Sequence, residues 1–228
     1  MKVLARVLGA ADVNRLTGRQ IDEKLPQYLS HPLHYNYFIG LADAVAVIQE
    51  KLKREVPPWV SCQTVMIGVD LELFSPRPAD PALRSRYGID ANDRVIVYHG
   101  GLDNFKRPAI ESLCRAVCLI NERGVPCKLF RTGVRPLEFV DQYPEKDRSK
   151  IIDHGVVPKS ELPNILALAD LFVQPGNIDA FEDLRLPGKV PEFLAMARPV
   201  LIPDVNISNL FHDGKDAVLL VTGTADEI

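Results

Sequence analysis

The chain has 228 residues, 46% of them hydrophobic and 25% charged, with 27 basic and 30 acidic side chains and a formal net charge of −3. This composition fits one large or two small globular domains, and it lacks the basic stripe that nucleic-acid binding requires. No apolar run approaches the roughly 20 residues of a membrane span, so at most peripheral membrane association is expected.

Met1 to Leu8 is short and carries Lys2 and Arg6, so it does not read as a signal peptide. Leu33 to Leu41 has helical periodicity, Ala44 to Ile48 reads as a buried strand, and Gln49 to Glu55 reads as a helix. One or two βα units cannot make a doubly wound sheet. Residues 1–66 are therefore expected to be the tail of another domain whose beginning lies outside the sequence. Residues 67–92 are rich in Pro and Gly and read as an interdomain linker. They contain one short helix, with Asp80 as its cap, Pro81 at its first position and Gly88 just past its end.

From residue 93 the pattern alternates. Arg94 to His99 is a strand, and Pro108 to Glu122 is helical, ending before Gly124. Cys127 to Arg131 is a strand, Pro136 to Tyr143 a helix and Ile151 to Asp153 a short strand. Ser160 is expected to cap a helix running to Leu168, followed by the strand Leu171 to Gln174. Pro191 opens a helix ending near Ala197, and Val200 to Ile202 and Val218 to Val221 are further strands. Such alternation predicts βαβ units and an α/β, Rossmann-like domain with a parallel sheet over residues 93–228. The sequence stops at Ile228 as Thr224 to Glu227 begins to look helical, so the domain is expected to lack its last helices.

Cys114 and Cys118 stand four apart on one predicted helix, where packing in a core explains them; Cys62 and Cys127 stand alone. No zinc spacing is present, so no metal is expected, and all four read as reduced thiols of a cytoplasmic protein.

Ligands of open parallel sheets bind beyond the carboxyl ends of the strands, which singles out four loops. Gly100 and Gly101 allow backbone N–H groups to approach a phosphate, and Lys106 offers a countercharge; a tight turn with a solvated lysine is the alternative. Arg131 precedes Thr132 and Gly133 and can clamp an anion through two hydrogen bonds, or form a surface ion pair. Gly155 and Val156 form an apolar loop able to hold a flat base, beside His154, whose ring is more simply structural. Gly188 and Lys189 precede a helix with Pro191 and Glu192 in its first turn. A helix N-terminus suits a diphosphate, and a carboxylate there can accept hydrogen bonds from both ribose hydroxyls, or can be a residue favoured by the helix dipole alone.

The run Leu186-Pro187-Gly188-Lys189, then Glu192, then Leu194-Ala195-Met196 and Pro199-Val200 resembles the loop, helix and strand of retaining family 4 glycosyltransferases of the GT-B fold. Other segments resemble that family in the same order. Ala42 to Val47 is similar to the last strand of the acceptor domain, and Gly68-Val69-Asp70 with Phe74 and Pro76 to the interdomain linker. Gly100 to Lys106 keeps the spacing of the phosphate loop. Gly155-Val156 with Leu162, and Ala169 to Pro175, are similar to the base-binding region; Asp213-Gly214 with Val218 to Val221 is similar to the closing strand. The sequence departs from the family in four places. Gly101 replaces the phosphate-loop Arg, Arg107 replaces the Gly after Lys106, Leu184 stands where an acid often contacts the donor sugar, and Ala197-Arg198 displaces the Gly before the final Pro-Val.

The resemblance implies a GT-B architecture in which 93–228 is the donor-binding domain, with no cofactor or metal needed. It implies a glycosyltransferase of polysaccharide biosynthesis that moves a sugar with retention from a UDP- or GDP-activated donor to a glycan, lipid or small acceptor. It further implies that Lys106 and Lys189 serve catalysis by offsetting charge on the leaving diphosphate, and that Gly100, Gly101, Asn104, Arg131, Gly155, Val156, Gly188, Val190 and Glu192 hold the donor. A chain lacking most of its acceptor domain is expected to bind donor without turnover. Two other readings stay open: a nucleotide-sugar epimerase and a non-catalytic nucleotide-binding domain.

Overall fold

The computed structural model describes residues 39–102, 106–134, 136–178 and 182–228. The chain forms two compact units, Met1–Met66 and Ile67–Ile228. In the first unit, strand β1 (Ala44–Val47) pairs in parallel with β2 (Ser61–Thr64), joined by a 3-10 helix at Glu50–Glu55. β1 was expected to be buried, but of its four residues only Val47 is, where it packs with Val56 and Val60. The helix expected over Gln49 to Glu55 is instead a 3-10 helix at Glu50–Glu55 that buries none of its residues, so no apolar stripe favours the wider α-helical turn. Most of the helix expected at Leu33 to Leu41 lies outside the described residues.

The second unit is built on six parallel strands: β3 (Arg94–His99), β4 (Cys127–Thr132), β5 (Ile151–Gly155), β6 (Leu171–Val173), β7 (Val200–Pro203) and β8 (Val218–Leu220). Their spatial order is β5-β4-β3-β6-β7-β8. The chain runs outward from β3 in one direction and then crosses back to lay β6 on the other side of β3, which is the doubly wound arrangement. β3 is buried along four of its six residues, as a central strand covered on both faces must be.

Alternation along the strands divides the core in two. Val95, Val97, Phe130 and Phe172 face one way; Ile96, Tyr98, Leu129 and Val173 face the other. The second face is covered by α2 (Arg107–Glu122), which buries Ile110, Leu113, Cys114 and Val117 on one stripe. Cys114 and Cys118 are thus core thiols, and burial pushes the Cys114 thiol up to about 12. The first face is covered by α4 (Leu162–Leu166) and α5 (Val190–Ala195); the Phe193 ring of α5 stacks on Phe172 with centroids 4.3 Å apart.

Residues 67–92 also pack on this first face. Phe74 and Ile89 are core residues, and Ile67, Val69, Leu83 and Tyr87 lie against them. The short helix there, α1 (Pro81–Arg86), has the expected cap: the Asp80 carboxylate accepts from the Ala82 N–H at 2.8 Å, and Gly88 takes φ of 61°.

Three elements differ from expectation. Pro136 to Tyr143 holds only a 3-10 helix at Glu138–Gln142, followed by the four-residue α3 (Glu145–Arg148). α4 starts after Glu161 with no side-chain cap, because the Pro158 carbonyl already takes the Glu161 and Leu162 N–H groups; Ser160 does not cap it. Thr224 to Glu227 forms a turn, with the Glu227 carboxylate accepting the Val221, Thr222 and Gly223 N–H groups.

Candidate functional site

The strand order reverses between β3 and β6, so the carboxyl ends of these two strands border the crevice where open α/β sheets bind ligands. The loops on one side of this edge are laced together beyond the strands. Gly100 N–H donates to Thr132 O at 2.8 Å, Gly133 N–H to Gly155 O at 2.8 Å, and Thr132 Oγ1 to the same Gly155 oxygen at 2.5 Å. Gly133 has φ of 149°, and a Cβ on it would run into the Gly100 carbonyl; no other residue fits there.

Arg131 holds this lacing in place. It is fully buried, and its guanidinium donates to Gly100 O at 3.0 Å, Val134 O at 2.6 Å and Asp153 Oδ1 at 2.8 Å. The ligand clamp expected from its position is replaced by an internal brace, because a guanidinium sealed from water must satisfy its donors within the fold. Asp153 completes the brace by accepting the Leu137 N–H at 2.7 Å.

Across the edge stands the turn before α5. Lys189 reaches from this turn to place Nζ over the Tyr98 ring, 4.7 Å from its centroid. The ammonium makes no hydrogen bond or ion pair among the described residues. Gly100 lies at the same point: a Cβ on it would sit 2.5 Å from both Lys189 Nζ and the Tyr98 hydroxyl. Burial, then the positive charges of Arg185 and Lys106, pull the Lys189 ammonium down to about 7, against the opposing pull of Glu182 and Glu192. Glu192, one turn on and half-buried, is held above the usual carboxylate range by burial, against the pull of Lys159 and Lys189.

Lys189 thus lies against Gly100 and feels the charges of Lys106 and Glu192. Gly101 is closed in by Val134, whose methyl would lie 2.7 Å from a Cβ there. Gly155 takes φ of 80°, and Val156 after it is 69% exposed on the loop beyond β5. Gly188 is exposed, with Ile67 Cδ1 as the nearest atom to a Cβ there. Val190 is a correction: its side chain is fully buried in the core and its N–H donates to Pro187 O at 3.1 Å, so neither is presented to a ligand. α5 itself is only six residues long, so the positive character of this edge comes from its lysines and Arg185 more than from a helix dipole. Asn104 lies outside the described residues. The His154 ring packs against Tyr87 and Phe130, the structural role expected of it.

Sequence reasoning passed over four groups here. Tyr98 and His99 were read only as the end of a strand, and Gln174 as a strand end within a stretch similar to the base-binding region, with no role of its own. His99 Nδ1 and Gln174 Oε1 are buried and make no hydrogen bond among the described residues; burial, then Lys189 and Arg131, push the His99 imidazolium down to about 4, so the ring is neutral. Arg185 pairs with the buried Glu182 at 2.5 Å, which turns that acid inward beside Gly176 while Leu184 keeps the position where the family often has an acid.

The sequence finds no match among curated proteins. Residues 93–228 match the family model for "Glycosyl transferases group 1". The fold is similar to that of HepE from Anabaena, solved with UDP and glucose, at a TM-score of 0.62 and 16% identity over 89% of this chain and 56% of that one. It is similar to sucrose-phosphate synthase from Thermosynechococcus elongatus, at a TM-score of 0.62 and 16% identity over 98% of this chain and 54% of that one. It is also similar to the C-terminal domain of the group 1 glycosyltransferase LpcC from Francisella tularensis, at a TM-score of 0.53 and 16% identity over 70% of this chain and 83% of that one. The chain spans a little over half the length of the first two. On the match over 93–228 the chain belongs to the group 1 glycosyltransferases, the family 4 enzymes of GT-B fold.

Proposed function

We propose that the second unit binds the diphosphate of a UDP- or GDP-sugar across the carboxyl ends of β3 and β6, as the donor half of a retaining glycosyltransferase acting on a glycan, lipid or small acceptor in the cytoplasm. The observation that carries this reading is Lys189. Its ammonium rests on an aromatic ring, half-desolvated and without an anionic partner among the described residues, in a neighbourhood that also feels Lys106 and Arg185. Burial and the charges of Arg185 and Lys106 oppose this ammonium more than Glu182 and Glu192 support it, so an anion that joins it is favoured. A diphosphate bound there would gain further as the glycosidic bond breaks and negative charge builds on the leaving group. Glu192 then takes the ribose hydroxyls. Lys106 and Lys189 offset the leaving charge, Gly100 and Gly101 line the phosphates, and Gly155 and Val156 border the base. HepE, a structural relative, was solved with UDP and glucose, which supports this choice of ligand class.

A second reading, a nucleotide-binding domain without catalysis, is favoured by Gly101 and Leu184, which stand where the family has an Arg and often an acid. Titration calorimetry with UDP, GDP and ADP tests the first claim. Binding by at least one at sub-millimolar concentration, lost in Lys189→Met, is the expected result; no binding by any of the three overturns it. Turnover of a donor panel by the chain joined to a complete acceptor domain separates the two readings.

A further inference from the structure

Tyr98 and Lys189 come from opposite faces of the sheet. Tyr98 is fully buried, and its ring lies on the α2 face with Ile110, Leu113, Leu129 and Val173. Lys189 precedes α5, whose Val190 and Phe193 pack on the other face. The lysine side chain must therefore cross the carboxyl edge of the sheet to bring Nζ to 4.7 Å from the Tyr98 centroid. The crossing point is Gly100, where a Cβ would lie within 2.5 Å of both partners. An ordinary core tyrosine would not need a glycine beside it and a cation across it. A flexible lysine has four rotatable bonds, and resting it on a ring removes most of its freedom before any ligand arrives.

We infer that Tyr98 is a positioning residue: its ring is the platform that holds the Lys189 ammonium at the carboxyl edge, ready for a ligand diphosphate. The diphosphate part of this inference rests on the function proposed above; the contact between ring and ammonium does not. A negatively charged ligand meets an ammonium already ordered, which removes part of the entropic cost of binding. The ring, and not the hydroxyl, supplies the attraction, because the cation faces the π-system.

The two layers are tested separately on the full chain. Without ligand, spectra of protein carrying 13C-lysine should contain one Cε methylene moved upfield by the ring current, absent in Lys189→Met. Tyr98→Phe should keep that resonance and Tyr98→Leu should lose it. Should Tyr98→Leu fail to fold, Gly100→Ala, whose methyl displaces Nζ from the ring, must lose it instead. An upfield resonance that survives both, or that is absent from the unaltered chain, overturns the inference. With ligand, the affinity gained on going from a nucleoside monophosphate to the diphosphate should fall about fivefold to tenfold in Tyr98→Leu and stay unchanged in Tyr98→Phe. Monophosphate affinity should be equal in all three, which a merely structural tyrosine would not produce. Tyr98→Leu added to Lys189→Met should cost nothing more; a further loss there shows that Tyr98 acts by another route and overturns the inference. Absence of nucleotide binding by the unaltered chain overturns the proposed function and leaves the resonance to decide whether Tyr98 holds Lys189.

Discussion

Arg131 donates to the Asp153 carboxylate at 2.8 Å from inside the sheet, with its other nitrogens on the carbonyls of Gly100 and Val134. Removing one side of such a pair leaves the other charge and two carbonyls unsatisfied. Arg131→Met should therefore destabilise the second unit by about 3–5 kcal/mol, read by urea denaturation. Asp153→Asn should cost less, since Asp153 is partly exposed and its amide keeps one hydrogen bond. A role as ligand clamp predicts instead normal stability with lost nucleotide affinity in both variants.

Glu192 is half-buried and its carboxylate makes no hydrogen bond among the described residues, unlike that of Glu182, which is paired with Arg185. Glu192→Gln should weaken nucleotide binding roughly tenfold to a hundredfold, or about 1.5–3 kcal/mol, with the melting temperature unchanged. A dipole role alone would leave affinity intact and cost about 0.3–1 kcal/mol of stability. The variant should also bind a 2′-deoxynucleotide as well as the ribonucleotide. Discrimination that persists in Glu192→Gln assigns the ribose to another residue.

Donor affinity should depend on pH through Lys189. Its ammonium is drawn down to about 7 by burial and by Arg185 and Lys106, with Glu182 and Glu192 opposing and the neutral His99 beside it. A diphosphate favours the charged form, so affinity for a UDP- or GDP-sugar, which has no phosphate titrating near neutrality, should be highest below pH 7 and fall as pH rises past it. Lys189→Arg, charged throughout, should flatten the profile. Stability runs the other way. The folded group loses its proton at a lower pH than the unfolded one, so the unfolded state binds more protons between about 7 and the usual lysine range, and ligand-free stability should rise with pH across that window. Calorimetry and chemical denaturation from pH 6 to 9 read the two trends. A flat affinity profile in the unaltered chain would count against Lys189 as a phosphate ligand.

Ala197 ends α5 with φ of 51°, the left-handed region, where the family motif places a glycine. A methyl group in that conformation costs about 1–2 kcal/mol, partly offset by the greater freedom of glycine in the unfolded chain. Ala197→Gly should raise stability by up to about 1 kcal/mol without changing ligand affinity; a lower denaturation midpoint would show that the helix end adjusts around the alanine.

The parallel sheet was legible because each strand is a short apolar run bounded by turn residues, and the segment around Lys189 because its residue types recur at family spacing. The direction of Arg131 was not. Strand alternation says which face a residue takes, but an arginine at a strand end can point outward to a ligand or inward to Asp153, and Asp153 comes from a strand 22 residues on. Val190 misled for a similar reason: a loop residue beside Lys189 looked available, whereas the first turn of α5 closes on Pro187 and buries it. The partnership of Tyr98 with Lys189 joins opposite faces of the sheet, which no local pattern records. Ser160 had the right chemistry for a cap but lost to a backbone turn at Pro158 that satisfies the same donors.

The placement of β6 beside β3 bears on how the protein is made. As the chain leaves the ribosome, β3, β4 and β5 can pair in turn, but the backbone edge of β3 at Ile96 and Val97 has no partner until Leu171 and Phe172 have been synthesised. For that interval an apolar strand edge is open to other chains, and closing it joins residues far apart in sequence, a slow step. Yield of folded protein should therefore be most sensitive to temperature and chaperone supply during synthesis of the stretch between β5 and β6, well before any ligand contributes to stability.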